Sequence, residues 1–253
     1  MRIDCGVLKT YQKHAKLIFM NKTILSSVVG SHLHGLNTEA SDLDVVDIQV
    51  EPTISTFGIH HLAKRKTSQR FDESTNTDIS LVEVIHFCYE ASKGNHKFLE
   101  ALWSDSILKC TSEGGWLISI REAFLSKRLE HSFAGIVTSM LDRYEKTGQE
   151  KSLINAIYYN DLFQRVWTTG DLFLNVSNDM NFRAKVERYK KNEYLEINQI
   201  HEFAQGSVSV LPDEPNKTVI QNTVDRIRMK NLPMHVYMGI LLSPTKEYTL
   251  DEM

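Results

Sequence analysis

Long apolar runs, paired cysteines and a dominant charge sign are all missing from this 253-residue chain, and each absence removes a class of protein. No stretch of about 18 consecutive apolar residues occurs, so no membrane-spanning helix is expected. The opening residues, MRIDCGVLKTYQKHAKLIF, are interrupted by Asp4, Lys9, Lys13, His14 and Lys16 and lack the continuous apolar core of a signal peptide. Three cysteines, Cys5, Cys88 and Cys110, are odd in number and widely spaced, which argues against a disulfide framework and against zinc held by paired thiolates. A soluble protein of the reducing cytoplasm is the expectation. The 29 basic and 32 acidic residues leave a formal net charge of −3, so nothing attracts the whole molecule to nucleic acid or to an anionic membrane. A polyanion site must be a local patch.

Glycine and proline are sparse, and neither repeats nor low-complexity segments occur, so the fold is read from periodicity. What is present is 42% hydrophobic content, enough for a core in one large domain or two small ones. Apolar spacing near three and four predicts a helix over residues 7–20. Ile24, Leu25, Val28 and Val29, ending at Gly30, predict a buried strand, and Leu43 to Val50 a second. The polar stretch from Lys64 to Thr77 reads as an exposed loop. Asp78 to Ile85 reads as a third strand or a strand leading into a helix. From about Trp116 the pattern turns helical, over Leu117–Leu129, Phe133–Tyr144, Leu153–Thr168 and Phe182–Tyr194. This is an α/β (α+β) first half followed by a helical second half, divided at Gly114-Gly115 into residues 1–113 and 114–253 because two glycines release the backbone. The alternative is one core shared by both halves.

The chemistry-bearing segment is Val28 to Ile48, VVGSHLHGLNTEASDLDVVDI: a strand, Gly-Ser, ten residues, then Asp-Leu-Asp opening a strand. Side chains alternate along a strand, so Asp42 and Asp44 face one way about 6.6 Å apart, with Leu43 and Val45 expected toward the core. Two such carboxylates suit hard divalent cations, and a pair of cations roughly 3.5 to 4 Å apart clamps an in-line phosphoryl displacement. Gly30 admits close backbone approach, and Ser31, opening a short helix, offers a hydroxyl and backbone N–H groups to phosphate. A third carboxylate is needed from a neighbouring strand. Asp78 is the choice, because period two places Glu83 on the opposite face with Ile79 and Leu81. The competing reading is that Ser31 caps a helix and the aspartates sit in a polar turn.

The segment resembles the signature of the DNA polymerase β nucleotidyltransferase superfamily. GSHLHGLNTEASDLD in particular is similar to the RNA-ligase-associated polymerase β-like group, sharing Gly35-Leu36, Thr38 and Ser41. KGNHKFLEALWSD, from Lys93 to Asp105, resembles that group's Gly-Asn turn and Leu-Glu-x-Leu helix. Lys151-Ser152, Thr169-Gly170 and Leu211-Pro212 echo it more weakly. The resemblance spans about residues 24–230 and implies a polymerase β-like palm with a C-terminal helical domain. It implies transfer of a nucleoside monophosphate from a nucleoside triphosphate, with two Mg²⁺ ions (or Mn²⁺) on Asp42, Asp44 and Asp78, and Gly30, Ser31 and Lys151 on the triphosphate. The acceptor is open among an RNA end, a protein hydroxyl and a small molecule, with RNA favoured by the group's association with RNA repair. The chain departs from the group after Lys151, carrying Asn155 and Tyr158 where a His and an Arg are expected. Two other functions therefore remain open: a nucleotide or RNA binder with weak catalysis, and an antitoxin-like nucleotidyltransferase that modifies a partner protein.

Other features have blander readings. His32 and His34 are expected to serve the loop, contacting base or phosphate, rather than to ligate a transition metal beside hard-metal carboxylates. His60-His61 read as surface. Lys64, Arg65, Lys66 and Arg70, and the cluster Arg183, Lys185, Arg188, Lys190 and Lys191, read as solvated charge, without the aromatic interleaving that base stacking needs. Trp103, Trp116, Trp167 and the phenylalanines read as core.

Overall fold

The computed structural model describes residues 22–51, 67–172, 175–190 and 199–231. The expected helix over 7–20, Cys5, His60-His61, Lys64 to Lys66 and Lys191 lie outside the described residues. Among the described residues, five strands form one mixed sheet: β1 (Lys22–Val29), β2 (Leu43–Val50), β3 (Ser68–Asp72), β4 (Thr77–Glu83) and β5 (Ile107–Cys110), in the order β3-β4-β2-β1-β5. β1 runs antiparallel to β2 and β5, β2 parallel to β4, and β3 antiparallel to β4. The central strands are the apolar ones, as burial on both faces requires.

Two strands fall where none was expected. β3 lies in the polar stretch read as a loop, and β5 follows Asp105. Both are edge strands, and all of β5 and all but the last residue of β3 are exposed, so neither carries an apolar alternation. The facing of β2 is also reversed. In register, Val29, Asp44 and Asp78 form one row, Ser27, Val46 and Ser80 the next, and Leu25, Ile48 and Val82 the third. Leu25, Val29, Val46, Ile48 and Val82 all belong to the main core, whereas Val45 is buried outside it and Leu43 is half-buried. Helices therefore cover the aspartate face, and the carboxylates emerge where the apolar layers stop. LDVVDIQV is apolar on both faces, so alternation alone does not say which one is covered.

α1 (Gly30–His34) joins β1 to the loop before β2. Glu83 ends β4 and caps α2 (Val84–Ser92), its carboxylate accepting the N–H groups of Ile85 and His86 at 2.7 and 3.3 Å. α3 (His96–Trp103) follows, then α4 (Ser112–Ser119), a 3₁₀ turn (Arg121–Phe124), α5 (Leu129–Thr147), α6 (Glu150–Thr169), α7 (Met180–Arg188), α8 (Ile200–Gly206) and α9 (Lys217–Lys230). The single helix expected over Leu117–Leu129 is thus replaced by the end of α4, the 3₁₀ turn and the start of α5. Leu117, Phe124, Leu125 and Leu129 still bury, which preserved the helical spacing across the break.

Gly114 and Gly115 lie inside α4 rather than ahead of it. A Cβ on Gly114 would stand 2.3 Å from the Ile24 carbonyl oxygen, so its smallness seats α4 on β1. Buried residues from both sides of this point, from Ile24 to Ile227, form one core. Trp167 and most described phenylalanines belong to it, Trp103 and Trp116 pack at its margin, and Phe71 is exposed. Among the described residues, no helix is long and apolar enough to cross a membrane.

Candidate active site

β1 delivers Gly30 beside the carboxylate of Asp44. Gly30 has φ +70, and a Cβ there would lie 2.6 Å from Asp44 Oδ2, so both the backbone and the space demand glycine. Asp44 and Asp78 are register partners across the β2–β4 pair, and Asp42 stands two residues ahead of Asp44. Burial pushes the Asp44 carboxyl above its ordinary range. Lys97 pulls it back, while the charges of Asp42, Asp78 and Glu100 push it further up. The turn before Asp42 is held by Ser41, whose hydroxyl accepts the Thr38 N–H at 3.0 Å. His32 stands with Nε2 3.4 Å from the Ser41 carbonyl, on the same turn.

Beneath α1 lies a buried charge that periodicity did not single out. Glu100, on α3, is 2% exposed. Its Oε2 accepts the Gly30 N–H at 3.0 Å, and its Oε1 accepts the Tyr159 hydroxyl at 3.0 Å and lies 3.1 Å from His34 Nε2. Burial by itself would raise this carboxyl. The adjacent His34 imidazole, the charge of His96 and the Gly30 N–H outweigh it and hold Glu100 at about 2. His34 is buried and stacks on Tyr158, with ring centres 4.1 Å apart. His34 thus lines the cleft while its ring is held from below by Glu100 and Tyr158.

A cleft of about 240 Å³ opens over these groups. The α/β half contributes Gly30, Ser31, Asp44 and Lys97 to its walls, and the helical half contributes Lys151 and Asn155. Gly30, Ser31, Asp44 and Lys151, chosen from sequence, thus converge. Asp42 and Asp78 reach the cleft only through their proximity to Asp44. Lys97 was missed. Its Nζ donates to Ser80 Oγ at 2.9 Å and sits 3.9 Å from Asp44 Oδ1. His96 beside it also lines the cleft, and burial lowers its pKa. One signal pointed here: in KFLEALW, Glu100 interrupts Phe98, Leu99, Ala101 and Leu102, all of them buried.

Among the described residues, no three carboxylate, imidazole or thiol side chains already converge as a closed metal site. The donors nonetheless fit a hard divalent cation: Asp42, Asp44 and Asp78 would all offer oxygen atoms, and a cation would offset the burial and the neighbouring carboxylate charge that together raise the Asp44 carboxyl. The described members of the basic clusters lie elsewhere than this cleft. Arg70 lies on exposed β3, Lys185 pairs with Asp161, and Lys190 pairs with Glu150 and Glu187.

A family model described as the RNA repair pathway DNA polymerase beta family matches residues 5–170. No curated protein matches the chain in sequence. Among solved structures, a nucleotidyltransferase-like protein from Exiguobacterium sibiricum is similar at 12% identity, over 97% of this chain and 82% of that one, with a TM-score of 0.30.

Proposed function

The chain belongs to the RNA repair pathway DNA polymerase beta family and is a nucleotidyltransferase, and on that premise we propose that it transfers a nucleoside monophosphate from a nucleoside triphosphate to an acceptor hydroxyl, favouring an RNA end. Its mixed five-stranded sheet with flanking helices is the polymerase β-like palm. The observation that carries the proposal is the register row of Asp44 and Asp78, with Gly30, Ser31, Asp44 and Lys151 lining one cleft. The favoured acceptor rests on the family's place in RNA repair.

In this reading residues 1–113 supply the carboxylates and residues 114–253 supply the lysine. Asp42, Asp44 and Asp78 would hold divalent cations, two Mg²⁺ or Mn²⁺, which would lower the pKa of the attacking hydroxyl and neutralise the triphosphate and the departing pyrophosphate. Ser31 offers its hydroxyl and backbone N–H to phosphate oxygens, while the Gly30 N–H is already given to Glu100. Lys151, which lines the same cleft, sets a positive charge against the triphosphate. The acceptor oxygen bonds to the α-phosphorus as the bond to the bridging oxygen breaks. Pyrophosphate leaves with that electron pair, and the hydroxyl proton passes to solvent.

Transfer of α-³²P-labelled nucleotide to a pool of RNA ends tests the reading. Wild type should label the pool, and an Asp42→Ala/Asp44→Ala variant that folds normally should lose roughly a thousandfold or more in rate. Equal labelling by the two overturns the site. Tight calorimetric binding of triphosphate by wild type with no transfer to RNA, protein or small-molecule pools replaces transfer with binding alone.

A further inference from the structure

Glu100 sits where three elements meet that are far apart in the chain. One oxygen takes the backbone N–H of Gly30, the first residue of α1, and the other meets the imidazole of His34, the last residue of α1. That second oxygen also takes the hydroxyl of Tyr159, on α6. Tyr159 lies one turn beyond Asn155 and two turns beyond Lys151 on the same helix, and all three line the cleft. α1 carries Ser31. A single carboxylate on α3 therefore grips both ends of the serine-bearing helix and the lysine-bearing helix at once.

Burial makes this grip stiff. A carboxylate that is 2% exposed is costly unless its partners are in place, and in a low-dielectric interior each of those bonds strengthens. Moving α6 against α1 would break either the tyrosine bond or the Gly30 bond and leave charge unpaired. The arrangement also explains an apparent contradiction, a negative charge beneath a site for polyanions. Its charge is met by His34 and the Gly30 N–H, so its role toward a ligand is geometric.

We infer that Glu100 is a positioning residue that sets the spacing between Ser31 and Lys151, so that both reach one triphosphate. This rests on the proposed nucleotide reading and goes further, because it makes the serine and lysine contacts depend on one buried group. Simple structural support would lower stability without linking Glu100 to Lys151. Positioning links them energetically.

A double-mutant cycle reads that link. The full chain, with Mg²⁺, is titrated calorimetrically with each of the four nucleoside triphosphates. The proteins are wild type, Glu100→Gln, Lys151→Ala and the double variant. Each single change should weaken binding on the order of tenfold, the scale of removing or displacing one hydrogen bond to a charged group. The double should be weakened by little more than either single, well short of the roughly hundredfold product. Independent, multiplying effects overturn the inference, as does a Lys151→Ala protein that binds as wild type. Should Glu100→Gln not fold, Tyr159→Phe removes one hydrogen bond at nearly constant volume, and its cycle with Lys151→Ala decides by the same criterion. The two failures are separable: if wild type binds none of the four, the nucleotide reading falls and this inference with it. If wild type binds and the effects multiply, only the positioning role falls.

Discussion

At residue scale, the cleft contains a cation of its own. Lys97 Nζ is 3.9 Å from Asp44 Oδ1, and both side chains are a little under one-third exposed, 28% and 29%. A divalent ion at Asp44, as proposed, would compete with this ammonium, so the lysine would oppose metal binding. Lys97→Met should bind Mn²⁺ roughly fivefold more tightly, the scale of a partly exposed ion pair. Electron paramagnetic resonance of free Mn²⁺ measures it, and unchanged or weaker binding would show that the ammonium does not compete. Gly30 gives a second prediction. Alanine there meets left-handed backbone, costing about 1 to 2 kcal/mol, and a Cβ 2.6 Å from Asp44 Oδ2. Gly30→Ala should lower urea stability by at least that much and weaken Mn²⁺ binding in the same titration. A variant that is less stable yet binds Mn²⁺ normally would mean that Asp44 relaxes away from the methyl group.

At element scale, α4 offers a matched pair. Within this helix Gly114 stands 2.3 Å from a carbonyl oxygen at its virtual Cβ, while around Gly115 nothing lies within 4 Å. Alanine gains about 1 kcal/mol of helix propensity at either position. At Gly115 that gain is unopposed, so Gly115→Ala should be more stable by up to about 1 kcal/mol. At Gly114 the methyl group must push α4 off β1, and overpacking at about 1 to 3 kcal/mol outweighs propensity. Urea denaturation of the two variants gives opposite signs, and the same sign for both would refute the close seating of α4. The two glycines look identical in sequence, which shows where the sequence stops being informative. β1, β2 and β4 were legible because their residues are apolar and central, and the neighbouring of Asp44 and Asp78 followed from those strands, though not the face they share. β3 and β5 were not, since an exposed edge strand needs no apolar pattern. Glu100, Lys97 and Tyr159 were not either. Their roles arise from contacts across 17 to 70 residues of chain, which no local pattern encodes. Lys151 was reached by resemblance rather than by periodicity.

At the scale of the whole molecule, two buried carboxylates join what the sequence divides. Glu100 ties α1 and α3 to Tyr159 in the helical half. Glu113, 1% exposed on α4, takes Lys22 from the start of β1 at 2.6 Å and Lys230 from the end of α9 at 3.3 Å. Burial raises both carboxyls, yet their partners prevail and hold both below the ordinary glutamate value of 4.5, Glu100 at about 2. A depressed folded value means that the unfolded chain takes up protons first. The stability from these groups is therefore complete above about pH 4.5 and is lost as pH falls toward their folded values. Because the core between them is continuous, losing the two ties should loosen both halves together. Acid unfolding followed by far-UV circular dichroism and by tryptophan fluorescence should give one coincident transition below about pH 4.5. Glu100→Gln should lose about 3 kcal/mol at about pH 7, the scale of breaking a buried pair. It should also flatten the fall in stability between about pH 4.5 and 2, because the group that titrates there is gone. Two separated transitions would mean that the halves unfold independently, and an unchanged acid slope in Glu100→Gln would place the acid sensitivity elsewhere.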